Sequence, residues 1–155
     1  MRARGFTLIE MLVVLAILGV LAAAARPMLL LAQQRQQEFA LREALRSLRG
    51  ALDAYKRAAA EGQILQAPDD SGYPPDLLVL VNGVPDAKSA SGRRLYFLRR
   101  LPRDPFADPT LPPEQSWGLR AYDSSPEDPR PGRDVFDVRS LSTRRALDGS
   151  YYKDW

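Results

Sequence analysis

Hydrophobic positions divide the chain into three stretches with different periods. Residues 6–25 are twenty consecutive positions carrying one charge, Glu10. At about 1.5 Å per residue a helix of that length extends about 30 Å, the thickness of a bilayer core. Arg2 and Arg4 precede it and hold that end on the cytoplasmic side by the positive-inside bias. The pattern predicts a membrane span. From Pro27 to Glu61 the chain turns amphipathic. Leu41, Leu45, Leu48, Leu52, Tyr55 and Ala59 recur at alternating steps of four and three, and so share one helical stripe. Arg42, Arg46, Arg49, Asp53 and Arg57 fall mainly off it. No loop-forming cluster separates the two stretches, only Pro27. One helix from Phe6 to about Glu61 is expected, bent or locally opened at Pro27, where the amide donor is missing, and stopped at Gly62.

Beyond Gly62 the signals shorten. Leu77 to Val81 follows Pro74, Pro75 and Asp76 and precedes Asn82-Gly83. It reads as a short helix with Pro75 in its first turn. Gly92 to Pro113 is an arginine- and proline-punctuated connector. Trp117 to Tyr122 and Val135 to Leu141 alternate as strands do, and Ser150 to Trp155 offers a third. Strands without intervening helices imply a small antiparallel sheet, which needs the long helix to cover one face. The fold class expected is therefore α+β, a lollipop with a helical stem. Its segments are a leader at 1–5, a transmembrane half-helix at 6–29 and a head at 30–155.

Composition narrows the chemistry. The 155 residues contain no cysteine and no histidine, which removes disulfides, Cys/His metal sites and any triad built on either residue. The formal net charge is +3, and loss of Arg2 and Arg4 with a leader lowers it by two, to +1. With no long basic run, nucleic acid is not an expected partner. Most of the thirteen prolines lie beyond residue 67, consistent with a loop-rich second half.

Glu10 is the chemical anomaly. A carboxylate in a spanning segment costs roughly 2.5 kcal/mol or more at mid-bilayer, less near its edge. One reading has Glu10 sitting at the interface and snorkelling. The other begins from its surroundings: a basic five-residue leader, a Gly5-Phe6 junction and an unbroken apolar run. Cutting the Gly5–Phe6 bond creates a cationic amine one helical turn from Glu10. Two staggered chains then pair the amine of one with the Glu10 of the other, and both charges are compensated within lipid.

The stretch from Gly5 through Phe6, Thr7, Leu8, Ile9 and Glu10 to Val14 resembles the class III signal of type IV pilins and type II secretion pseudopilins. The resemblance implies a prepilin peptidase that cuts after Gly5 and methylates the Phe6 amine, with Glu10 as the assembly glutamate. Gly19 and Pro27 fall where members carry a helix-loosening glycine and proline. Farther on, Leu101 to Phe106, Trp117, Asp134 to Ser140 and the closing Asp154-Trp155 are similar to the major (G-type) pseudopilins. That implies a periplasmic homo-oligomeric filament anchored in the inner membrane. Its expected partners are minor pseudopilins, an inner-membrane assembly platform and the lipid bilayer.

One departure concerns metal. G-type members usually carry a glycine- and aspartate-rich calcium loop after the Ser-Leu that ends the penultimate strand. Here Ser140-Leu141 is followed by a segment with two arginines and one acid, Asp148. Calcium wants six or more oxygens and several carboxylates, so no metal site and no cofactor are expected. Asp123, Glu127, Asp128 and Asp134 form an alternative acidic stretch, or a solvated loop paired with Arg130 and Arg133.

Two other functions fit parts of the pattern. A minor pilin of a type IV pilus or DNA-uptake machine shares the signal and the helix. A secreted enzyme or binding protein would use Ala22 to Ala25 as a signal-peptide cleavage site. The long apolar run with its glutamate argues against the latter. So does a remaining domain with no nucleophile–base pair or phosphate loop, and no catalytic residue is expected.

Overall fold

A computed structural model describes residues 6–155. Its first element, α1, runs Leu8–Ala60 over 53 residues. Pro27 lies inside it and the helix continues through that position, without the expected opening. Pro27 simply has no amide to donate to the carbonyl one turn before it. The end of α1 is closed by a Schellman motif. Gln63 N donates to Ala58 O at 2.9 Å and Gly62 N to Ala59 O at 2.9 Å. The reversal places Gly62 at φ 71°, where a side chain would be strained.

The chain divides into two compact units, one ending at Gln36 and one spanning Gln37–Trp155. In the first, no described side chain is buried. In the second, the stripe predicted from spacing forms the core. Leu41, Leu45, Leu48, Leu52, Tyr55 and Ala59 are all buried, with Ala44, Ala51 and Ala58 filling between them. Each large side chain removed from water contributes about 1.5–3 kcal/mol. Against this face pack Ile64, Leu77, Leu80, Trp117, Val135, Val138, Ala146 and Tyr152.

A one-turn helix, α2, covers Leu78–Asn82. It starts later than expected: Pro75 stands before it, and Asp76 Oδ1 accepts the Val79 amide at 3.0 Å. Its Leu80 carbonyl accepts both Phe97 N and Leu98 N, at 3.0 and 2.9 Å, which ties the connector to the core. Gly83 follows at φ 72°, and a Cβ there would meet Leu95 O at 2.8 Å. Two antiparallel pairs complete the unit. Strand β1 (Val84–Pro85) pairs with β2 (Arg94–Leu95), and β3 (Trp117–Arg120) with β4 (Asp137–Ser140). The second pair is in register from Trp117 opposite Ser140 to Arg120 opposite Asp137.

The α+β class with a long N-terminal helix and small antiparallel sheets therefore holds. The third strand does not form. Ser150 to Trp155 contributes one bridge, Arg145 to Tyr151, and then a 3₁₀ turn at Tyr152–Asp154. The reason is local. Asp148 Oδ1 accepts Ser150 N at 2.9 Å and Ser150 Oγ at 2.6 Å, while Gly149 sits at φ 88°. The amides of Asp154 and Trp155 turn back to Tyr151 O and Tyr152 O. No extended edge is left for a β-ladder.

Candidate functional site

The N-terminal unit is built for an apolar surrounding. An 18-residue window of α1 has mean hydropathy 2.6 and none of it is buried within the protein. Phe6, 80% exposed, stands just ahead of the helix. Gly5 lies outside the described residues. The helix begins in a capping box that the sequence reading did not pick out. Thr7 Oγ1 accepts the Glu10 amide at 3.3 Å, while Glu10 Oε2 accepts Thr7 N and Thr7 Oγ1, both at 2.8 Å. The Thr-x-x-Glu spacing before an apolar run is its signature, and it was legible. Thr7 thus caps the first turn that holds Glu10, and the Glu10 carboxylate is bonded one residue from the Phe6 nitrogen.

The head gathers the second set of motif residues. Asp104 is 1% exposed. Its Oδ1 accepts Phe106 N at 2.8 Å, and its Oδ2 accepts Ser140 Oγ at 2.6 Å. The same residue's amide donates to Ser116 Oγ at 3.2 Å. One buried carboxylate therefore joins the Leu101-to-Phe106 loop to the end of β4. Trp117 Nε1 donates to Pro102 O at 2.9 Å and fastens that loop to β3. Asp104, Trp117 and Ser140, scattered in the sequence motif, thus meet in a single bracket.

The family profile described as the prokaryotic N-terminal methylation motif matches residues 1–25. The type II secretion system core protein G of Klebsiella pneumoniae is 36% identical over 109 residues, covering 68% of this chain and 70% of that protein. The protein of the same name from Aeromonas hydrophila is 31% identical over 112 residues, 70% of this chain and 71% of its own. This chain belongs to the type II secretion system core protein G family. It is a pseudopilin. No solved structure matches it significantly.

The calcium loop that the G-type resemblance implies is not supported by the residues present. In Ser142 to Tyr152 the one acid, Asp148, spends Oδ1 on Ser150 and directs Oδ2 to Arg42 at 3.7 Å. The Ser150 hydroxyl and amide, with Arg42 nearby, hold its carboxyl below the usual range. Arg144 and Arg145 lie over the Phe106 and Tyr151 rings, at 5.1 and 4.5 Å. Three acids of the alternative stretch are likewise engaged. Asp134 Oδ1 accepts Tyr122 N at 2.8 Å, Asp128 pairs with Arg130, and Glu127 accepts Ser125 Oγ at 2.5 Å. Among the described residues no three acids converge on one point.

Proposed function

We propose that this pseudopilin is made as a precursor, cut between Gly5 and Phe6, methylated on the new amine, and built into a filament on the periplasmic side of the inner membrane. Residues 1–5 are the leader, 6–29 lie in the bilayer or the filament core, and 30–155 form the periplasmic head. Minor pseudopilins, the inner-membrane assembly platform and the prepilin peptidase are its partners, and its role is structural rather than catalytic. The relatives' naming as core secretion proteins supports the system, and the methylation-motif match over residues 1–25 supports the processing.

The observation that carries the assembly step is the position of Glu10. It is held one turn from Phe6, on a helix whose side chains from Phe6 to Ala23 are all exposed. Hydrolysis of the Gly5–Phe6 amide frees a protonated amine. Within lipid that amine needs an anion, and the Glu10 carboxylate of a neighbouring chain supplies it. The capping box favours a second reading, in which Glu10 serves only its own helix end. The two readings part on charge. Gln at position 10 keeps a side-chain acceptor for Thr7 and loses the anion.

The experiment is intact mass and N-terminal sequencing of the mature membrane-bound protein. A chain starting at Phe6 with one added methyl group is expected. A start near Arg26 would replace the pseudopilin maturation with signal-peptide removal.

A further inference from the structure

Glu38, Arg42 and Arg49 of α1 make polar contacts to the C-terminal segment of the head, and all three belong to the Gln37–Trp155 unit. Glu38 is buried, 6% exposed, and its Oε1 accepts the Leu147 amide at 2.8 Å and the Tyr152 hydroxyl at 2.9 Å. Four residues on, the Arg42 guanidinium lies 4.2 Å from the Trp155 ring centroid and 3.7 Å from Asp148 Oδ2. Seven residues farther, Arg49 donates to Asp137 Oδ1 at 2.8 Å, Val138 O at 3.1 Å and Trp155 O at 2.6 Å. Steps of four and seven keep these residues on one helical face.

The segment they meet is closed on its own side. Tyr152 is fully buried, its ring stacked 4.0 Å from Phe106 and edge-on to Trp155 at 5.1 Å. Trp155 Nε1 donates to Ser150 Oγ at 2.7 Å. The segment's positive groups Arg144, Arg145 and Lys153 lie over ring faces of Phe106 and Tyr151. A cation entering beside Asp148 would meet like charge and a carboxylate already engaged by Ser150 and Arg42.

We propose that helix α1 does the work of a calcium loop in this protein. Glu38, Arg42 and Arg49 form a clamp that holds residues 144–155 on the helix, and the head folds and stays closed without metal. Glu38 is its centre, because one buried oxygen there satisfies two donors that flank the Asp148–Ser150 turn. A buried acceptor with two partners is costly to remove, since both donors are then left unpaired. The clamp is read from this chain's own contacts. Only the contrast with calcium rests on the family assignment, and the mature N-terminus tests that assignment separately.

The test uses the full-length protein in detergent, melted in millimolar calcium and in chelator, with tryptic digestion followed at Arg144 and Arg145. Wild type is expected to melt at the same temperature in both, since weak binding to the folded state leaves the melting point almost unmoved. Glu38→Ala should melt about 5 °C lower and be cut about tenfold faster in the loop, whether or not calcium is present. Glu38→Gln keeps the Oε1 acceptor and should stay near wild type. A calcium-driven rise of many degrees in wild type overturns the proposal. So does Glu38→Gln losing as much as Glu38→Ala, because the negative charge would then be what the loop requires. Unchanged tryptic cutting in Glu38→Ala overturns it as well. Should Glu38→Ala not fold, Tyr152→Phe removes one donor from the same oxygen. Faster cutting that calcium does not reverse supports the clamp, and rescue by calcium or unchanged cutting defeats it.

Discussion

The part of α1 before Gln37 and the part after it are one helix suited to two surroundings. Up to Gln36 no described side chain is buried, although most are apolar. From Leu41 on, the apolar positions narrow to a stripe and every member of that stripe is buried. The lesson is about what supplies the burial. In the head, the same chain covers its own apolar face. In the N-terminal unit no described residue is buried, as suits a helix whose apolar side chains face lipid or neighbouring helices. A polar side chain is correspondingly harder to accommodate there. Glu10 in the first unit and Glu38 in the second are both carboxylates on α1, yet one has only Thr7 in the capping bonds described, while the other draws donors from more than a hundred residues away.

The largest effect that would break this contrast comes from Glu10. Glu10→Gln should leave processing and head stability intact but abolish filament assembly, read as loss of self-association in pull-downs of mature chains. Thr7→Ala, which removes the hydroxyl of the cap and keeps the charge, should cost about 1 kcal/mol of helix-end stability and leave assembly standing. Assembly that survives Glu10→Gln and fails in Thr7→Ala would make Glu10 a capping residue only. Next comes Gly5→Leu. Under the proposed cleavage after Gly5 the peptidase has to approach this backbone closely, so the full-length precursor should accumulate in the membrane fraction. Normal maturation of the variant would move the cleavage site elsewhere.

A third comparison places one deletion in each unit. Leu48 is fully buried, and Leu48→Ala should destabilise the head by about 2–5 kcal/mol in denaturant melts. Leu18 is 55% exposed, and Leu18→Ala should leave those melts unchanged. Equal losses at both positions would mean that the N-terminal unit is packed like a core. The smallest effect is expected from acid. The Ser150 contacts hold the Asp148 carboxyl below its ordinary value of 3.8, and the Arg93 ion pair does the same for Asp86. Depressed carboxyl pKa values contribute stability that is present above the unfolded value and lost as pH falls through the folded one. Melting temperature should therefore hold steady down to about pH 4 and decline below it. Asp148→Asn should flatten part of that decline, and an unchanged profile would remove Asp148 as a contributor.

Much of the fold was legible in the sequence. Helix α1 falls within two residues of its expected limits at both ends, since its apolar period and its glycine stop are properties of neighbouring residues. The buried stripe was readable for the same reason. The Thr7–Glu10 box is equally local, its signal being the Thr-x-x-Glu spacing rather than the charge of Glu10. Glu38 carried a weaker signal. It lies three residues before Leu41, on the stripe itself, and a charge on a buried stripe demands partners.

Who those partners are is a different matter. By itself the sequence determined the periods of the chain: an unbroken apolar run, a stripe, alternating strands, and a carboxylate out of place among apolar residues. Each follows from side-chain chemistry repeated over a few turns. Only the tertiary structure decided that Ser150 to Trp155 curls into a turn rather than a strand. The same holds for Asp104, which bolts a proline-rich loop to β4, and for Glu38, which answers Leu147 and Tyr152. Hydrogen-bond partners separated by 36, 109 and 114 residues leave no periodic trace. Burial of a carboxylate is tolerable only where the fold delivers its donors, and that delivery is settled in three dimensions.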